Sequence, residues 1–431
     1  MTAPRVLVAA KRLDPEASSE GICSARFVHA LLDHGVPVTV LTGDEAASEA
    51  SLREDLPWLT GPLRHCSTLP DAPAGAVRRR LRAAVDLAGT AVRGHPTWYE
   101  RSVRAWRRAI GDALAEDRPD VLTTRGAGGG FEPHLAVLDL DPDVPWIANY
   151  HDPWPASRWP DPYRAPRTRA MRLQERGHQR ILQRADALTF PSPRLRDWVV
   201  GDDERLRGKS YVVPHAMDAS PCAGEVDAAL THAASERPFT LVHTGTLLRH
   251  RRVDALLDAL AAFIGRAPER QAATRLVLAG PLADGGDDPP ARRSLEAAGV
   301  LHWHRARINR ATAQALVGLA TASVLVEAAG DESPFFPSKL TDYFAAGRPV
   351  LALTPHRSVA SDLMGADHQL LVEPDDPTGI EAALERLWTA DQEHRLDTLT
   401  LPATTTTSLE PAAVADAFAT VLDDLRTGRG R

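Results

Sequence analysis

The chain is poor in cysteine, methionine and aromatic residues. Its three cysteines, Cys23, Cys66 and Cys222, are too few and too far apart for a disulfide framework or a cysteine-rich metal site. They read as reduced structural thiols of a cytoplasmic protein. No run approaches the ~18 apolar residues that a membrane span needs, and the first residues lack the apolar stretch of a signal peptide. Positive charge is not in excess either: 50 Lys and Arg stand against 57 Asp and Glu, a net charge of −7, which removes any general attraction to nucleic acid. What is present, 43% hydrophobic and 25% charged residues over 431 positions, is the make-up of a globular protein. At a prior of ~150 residues per domain, that length suggests two or three domains.

Short apolar runs alternate with helical segments along most of the chain. Arg5–Ala9, Val38–Leu41, Val121–Thr124, Trp146–Asn149, Ala187–Phe190 and Tyr211–Val213 read as one set of strands. Phe239–Thr244, Arg275–Ala279, Val300–His304, Ser323–Glu327, Pro349–Leu353 and Gln369–Val372 read as a second. Between them lies a loose segment rich in Ala and Ser, to about Arg237, expected as a linker. Thr404–Thr407 reads as a polar hinge before an amphipathic helix, Pro411–Arg426. Two β-α-β series of this kind predict two doubly wound parallel sheets.

The most informative stretch is Ser333–Leu353, a loop, a short helix, a stop and a buried strand. Pro337 suits the first helical position and Gly347 the end. The N–H groups of Ser338 and Lys339 would then be free to receive phosphate oxygens. Asp342, one turn on from Ser338, could accept hydrogen bonds from a ribose or sugar hydroxyl. Phosphate and sugar hydroxyl side by side make a nucleotide-sugar geometry.

The run Pro337-Ser338-Lys339-Leu340-Thr341-Asp342-Tyr343-Phe344-Ala345-Ala346-Gly347-Arg348-Pro349-Val350 resembles the donor-site signature of the retaining family 4 glycosyltransferases of the GT-B fold. In that family two acids flank the helix start. Asp342 matches the second; the first falls on Pro334, with Asp331 and Glu332 close by as substitutes for the sugar contact. The resemblance implies an α/β, GT-B fold: two Rossmann-like domains facing a cleft, with a C-terminal helix crossing back to the first domain. The expected boundaries are an acceptor-side domain at 1–217, a linker at 218–237, a donor domain at 238–405 and the returning helix at 406–431.

Further site residues follow from the same resemblance. Gly21 is the loop glycine that lets the backbone approach donor and acceptor. His151 and Asp152, after Trp146–Asn149, match the polar pair that faces the reacting sugar; His151 could orient or deprotonate an acceptor hydroxyl. Read alone, Asp152 before Pro153 is also ordinary turn chemistry. Gly245, Thr246, Arg251 and Arg252 occupy the loop that holds the donor diphosphate, with Thr246 where the family has an arginine. Cations at Arg249–Arg252, ahead of a helix, are unfavourable unless an anion joins them. Ile308 stands where the nucleobase is laid, and Phe336, with Pro337 at the helix start, is expected among the donor-binding residues. Asp139-Leu140-Asp141 superficially matches the metal-binding motif of another glycosyltransferase fold, and reads as a turn. No metal and no cofactor are expected.

One region differs in character. Arg78, Arg79, Arg80, Arg82, Arg93, Arg101, Arg104, Arg107 and Arg108 face only Asp86 and Glu100 before Asp112. Either a solvated helical pair caps the first domain, or a basic amphipathic surface, Arg78–Arg82 at its start, meets a membrane or an anionic acceptor. The expected activity is transfer of a sugar from a nucleoside diphosphate sugar, UDP-linked by preference, to an acceptor hydroxyl with retention and without metal. A nucleotide-sugar epimerase of the same fold and a non-catalytic nucleotide-sugar binder are the alternatives. Acceptor, donor sugar and oligomeric state are not legible.

Overall fold

The structure is a computed structural model that describes residues 3–43, 49–67, 76–126, 128, 130–218, 220, 222, 224–248, 250–283 and 289–428, those of 76–79 as backbone. It divides into two compact units: Met1–Trp159 with Tyr163–Ala216 and Glu410–Arg431, and Pro160–Pro162 with Met217–Leu409.

The first unit carries seven parallel strands: β1 (Val6–Ala10), β2 (Val38–Thr42), β3 (Leu63–His65), β4 (Val121–Arg125), β5 (Trp146–Asn149), β6 (Ala187–Phe190) and β7 (Ser210–Val212), in the order β3-β2-β1-β4-β5-β6-β7. Their near-continuous apolar runs follow from having helices on both faces. Alternation of side chains across β1 divides the core. Val6, Val8 and Ala10 pack with the helix Ser19–Asp33 and the C-terminal helix Pro411–Thr427. Leu7 and Ala9 face Trp106 and Ile110 of the helix Thr97–Asp117. The returning helix is held by Phe418, whose ring meets Phe27 edge-on at 5.0 Å and 87°, a pairing worth about 1 kcal/mol beyond burial. Asp424 accepts a hydrogen bond from the Tyr211 hydroxyl at 3.1 Å.

The second unit has six parallel strands: β8 (Phe239–Thr244), β9 (Thr274–Ala279), β10 (Leu301–His304), β11 (Ala322–Val326), β12 (Val350–Leu353) and β13 (Leu371–Val372), in the order β10-β9-β8-β11-β12-β13. Strand order reverses between β1 and β4 in one unit and between β8 and β11 in the other. In such sheets, ligands settle outside the carboxyl ends at those reversals.

Three local expectations change. The segment 218–237 belongs to the second unit and contains the helix Ala228–Ser235, capped by Asp227, which buries Leu230 and Ala234 beneath the sheet. Thr404–Thr407 lies in a short helix, Ala403–Thr407. The donor helix begins at Lys339, not Pro337, because the N–H groups of Leu340 and Thr341 bond back to the Pro337 and Ser338 carbonyls in tight turns.

Candidate functional site

At the carboxyl ends of β8 and β11, side chains converge around one lysine. His243, near the end of β8, is buried, and its Nδ1 lies 2.9 Å from the Val324 carbonyl. A carbonyl only accepts, so Nδ1 carries the proton and Nε2 is left as an acceptor. The Lys339 ammonium donates to that Nε2 at 3.4 Å. Gly245 makes room: with φ +97, a Cβ there would sit 3.2 Å from Lys339 Nζ. Behind it Gly280 is equally constrained, since a Cβ would fall 2.3 Å from the Gly245 oxygen.

The electrostatics are unbalanced in one direction. Burial, then the Arg251 charge, brings the Lys339 pKa down to about 7, with Glu327 and Asp342 only partly opposing. Burial and then Lys339 hold His243 well below the usual histidine range, so it is neutral. Arg251 Nε is buried with no hydrogen-bond acceptor among the described residues. Glu327, just past β11, is fully enclosed; burial raises its pKa against the pull of Arg251. It accepts from the hydroxyls of Ser333 (3.2 Å) and Thr354. Tyr343 fixes the helix to the sheet, accepting from the Thr244 N–H at 3.2 Å and donating to the Val324 carbonyl at 3.4 Å. Two cations crowded about one satisfied carboxylate make a seat for an anion.

The other expected donor residues are placed as follows. Asp342 is half-buried and close enough to Lys339 to act on its charge. Glu332 pairs with Arg357 at 2.8 Å. Arg252 is turned to Asp254 (2.8 and 3.0 Å) at the start of its own helix, and Arg249 lies outside the described residues. Thr246 is exposed. Phe336 belongs to the apolar core with Leu340 and Phe344, and Ile308 packs beneath Val242 and Leu316.

In the first unit, a second cluster forms beyond β1, β4 and β5. His151 is buried, its ring 4.7 Å from that of His215. Glu20, His151 and Asp152 offer ligand atoms within 4.8 Å of one another, as do Cys23, His151 and His215. Burial, then His151, Arg125 and Arg26, push His215 well below the histidine range. Glu20 is pushed up by burial, but His151 and local hydrogen bonds outweigh this and hold it below the usual value, as a carboxylate. Arg125, its pKa brought down to about 10 by burial, lies 4.3 Å over the Phe27 ring and donates to Ser24 at 3.3 Å. Two enclosed guanidinium groups oppose an added metal cation here; the neutral imidazole of His215 and the ionised Glu20 suit a hydroxyl. Lys11 is occupied by both oxygens of Glu132 at 2.8 Å. Gly21 is required for another reason: a Cβ would stand 1.9 Å from the Asp14 carbonyl oxygen, and its N–H is taken by Ser18. Asp139 and Asp141 sit in a turn and pair with Arg180 and Arg184.

Glu20 and His215 in the first cluster, and His243 and Glu327 in the second, are not among the site residues expected from the sequence, and Cys23 was expected only as a structural thiol. An acid directly after a buried apolar run, as Glu327 is, was the one available signal.

Comparison with known proteins agrees with this layout. The family described as glycosyl transferase 4-like domain matches residues 21–216, and that described as glycosyl transferases group 1 matches residues 238–390. Among solved structures, an α,α-trehalose-6-phosphate synthase of Burkholderia multivorans aligns at 15% identity over 99% of this chain and 100% of its own, with a TM-score of 0.59. Anabaena HepE in complex with UDP-glucose aligns at 12% identity over 98% and 100%, with a TM-score of 0.63. A putative UDP-N-acetylglucosamine 2-epimerase of Listeria monocytogenes aligns at 13% identity over 98% and 97%, with a TM-score of 0.58. No curated protein sequence matches the chain. At these identities the solved structures speak for the fold, and the two family matches complete the assignment: the chain belongs to the family 4-like glycosyltransferases of the GT-B fold.

Proposed function

We propose that this glycosyltransferase transfers a sugar from a UDP-sugar to an acceptor hydroxyl with retention of configuration, without an obligatory metal. The observation that carries the reading is the Lys339 cluster: an ammonium with its pKa near 7 beside a buried guanidinium with an unengaged Nε, at a strand-order reversal. An incoming diphosphate answers both. It restores the lysine's charge and gives Arg251 an acceptor, and the same two groups then stabilise the charge that grows on the leaving diphosphate. The Ser338 and Lys339 N–H groups add donors, Gly245 leaves space for the phosphate and Asp342 takes a ribose hydroxyl. His151, oriented by Glu20 and Asp152, accepts the proton of the attacking hydroxyl. Retention then proceeds by front-face attack assisted by the leaving phosphate, with no nucleophilic carboxylate required.

The base is tested by thermal stabilisation with UDP-, GDP-, ADP- and dTDP-sugars, since a ligand of the folded state raises its melting temperature. A UDP-sugar is expected to give the largest rise, and a flat response to all four defeats the donor assignment. Retention is read from the anomer of the product by NMR, and metal-independence from activity in a chelator. One further reading has an observation behind it, the fold likeness to a putative UDP-sugar epimerase. Incubation with the UDP-sugar alone separates the two, because an epimerase needs no acceptor.

A further inference from the structure

The arginine-rich helix Ala76–Arg93 is mounted with its polar face inward. Arg82, Asp86, Gly89 and Thr90, one stripe at helical spacing, face the protein. Asp86 lies 3.9 Å from Arg82, accepts the Thr97 N–H at 3.0 Å, and its carbonyl accepts the Thr90 hydroxyl at 2.8 Å. Gly89 lies so close to the next helix that a Cβ would sit 2.8 Å from the Thr97 hydroxyl. At the far end, Gln174 donates to the Gly94 carbonyl at 2.6 Å.

The opposite face is apolar and exposed: Leu81 is 66% exposed, Val85 48%, Leu87 73% and Val92 62%, with Ala84, Ala88 and Ala91 exposed between them. Trp98, 36% exposed, begins the following helix. These five are most of the large exposed apolar side chains among the described residues; the others, Val226, Leu248 and Leu319, are scattered. A concentrated patch of this kind marks an interaction surface. Its rim is cationic, with Arg80, Arg93, Arg101 and Arg104 exposed, in a chain whose net charge is −7.

We propose that this face docks on an anionic lipid surface, the helix lying in the headgroup layer. An apolar stripe bordered by arginines, with an interfacial tryptophan beside it, is the pattern of a helix that lies in the membrane plane. Among the described residues no helix is long and apolar enough to cross a membrane, so the contact is lateral. A second copy of the chain is the poorer occupant, since a two-fold contact sets the same arginine rim against itself.

The test is co-sedimentation of the full chain with phosphatidylcholine vesicles, with and without phosphatidylglycerol, alongside analytical ultracentrifugation in buffer. Binding is expected only with phosphatidylglycerol and should weaken with salt. Arg80→Gln and Arg93→Gln should each lower the partition coefficient about fivefold, and Leu81→Glu by ~tenfold or more. All three positions are exposed, so an unchanged melting temperature confirms that each variant folds. Equal partition onto neutral vesicles, no partition at all, or indifference to Leu81→Glu overturns the proposal. A wild-type dimer that Leu81→Glu dissociates, with no vesicle binding, overturns it in favour of self-association.

Discussion

The two clusters of buried polar groups differ in how their charges are spent. In the first unit Lys11 is neutralised by Glu132, and both the neutral imidazole of His215 and the ionised Glu20 lie beside His151. In the second unit Lys339 is held near pKa 7 and the Arg251 Nε is left unengaged. Burying a cation without a full partner is costly, so the second arrangement stores a demand for negative charge. In the proposed reading, one site takes the donor's anion and the other a proton.

The largest break in that contrast should come from the cations. Arg251→Ala and Lys339→Ala should each lower kcat/KM about 10²- to 10³-fold, the usual cost of removing one preorganised donor to developing charge. His151→Ala should lower kcat about 10²-fold, within the range for a general base, with donor binding by calorimetry unchanged. A loss of donor affinity in that variant would erase the distinction between the clusters.

Proton linkage sharpens it. A bound diphosphate raises the Lys339 pKa from about 7 toward the ordinary lysine value, so binding takes up a proton above neutrality. Donor affinity should therefore fall as pH rises past 7, by up to about tenfold per unit. The decline should vanish in Lys339→Gln. Calorimetry in buffers of different ionisation enthalpy reads the proton directly. Asp342→Ala should raise the donor Kd about tenfold through one lost charge-assisted hydrogen bond. Arg252→Ala should change it less than about twofold, because that side chain is exposed and already paired with Asp254.

All strands but the three-residue β3, Leu63–His65, were legible because parallel strands covered on both faces are largely apolar: Trp146–Asn149, Ala187–Phe190 and Phe239–Thr244 are bounded in the structure as the sequence suggested. The helix Ala228–Ser235 was hidden by its small residues, which look like a linker until Leu230 and Ala234 find a sheet to cover. Lys339 was legible as a backbone donor only. That its ammonium would lie against His243, almost a hundred positions earlier, depends on Gly245 leaving the space, which no local pattern encodes. Glu327 was read as strand because it follows four apolar residues and a serine without interruption.

The last helix carries a consequence for synthesis. Val414, Phe418 and Val421 complete the core that Val28 and Leu31 begin, so the unit translated first lacks part of its interior until the final helix leaves the ribosome. Its earlier residues must wait, partly uncovered, while the whole of the other unit is made. A nascent chain arrested before Pro411 should be more readily cleaved by protease in the first unit than in the second.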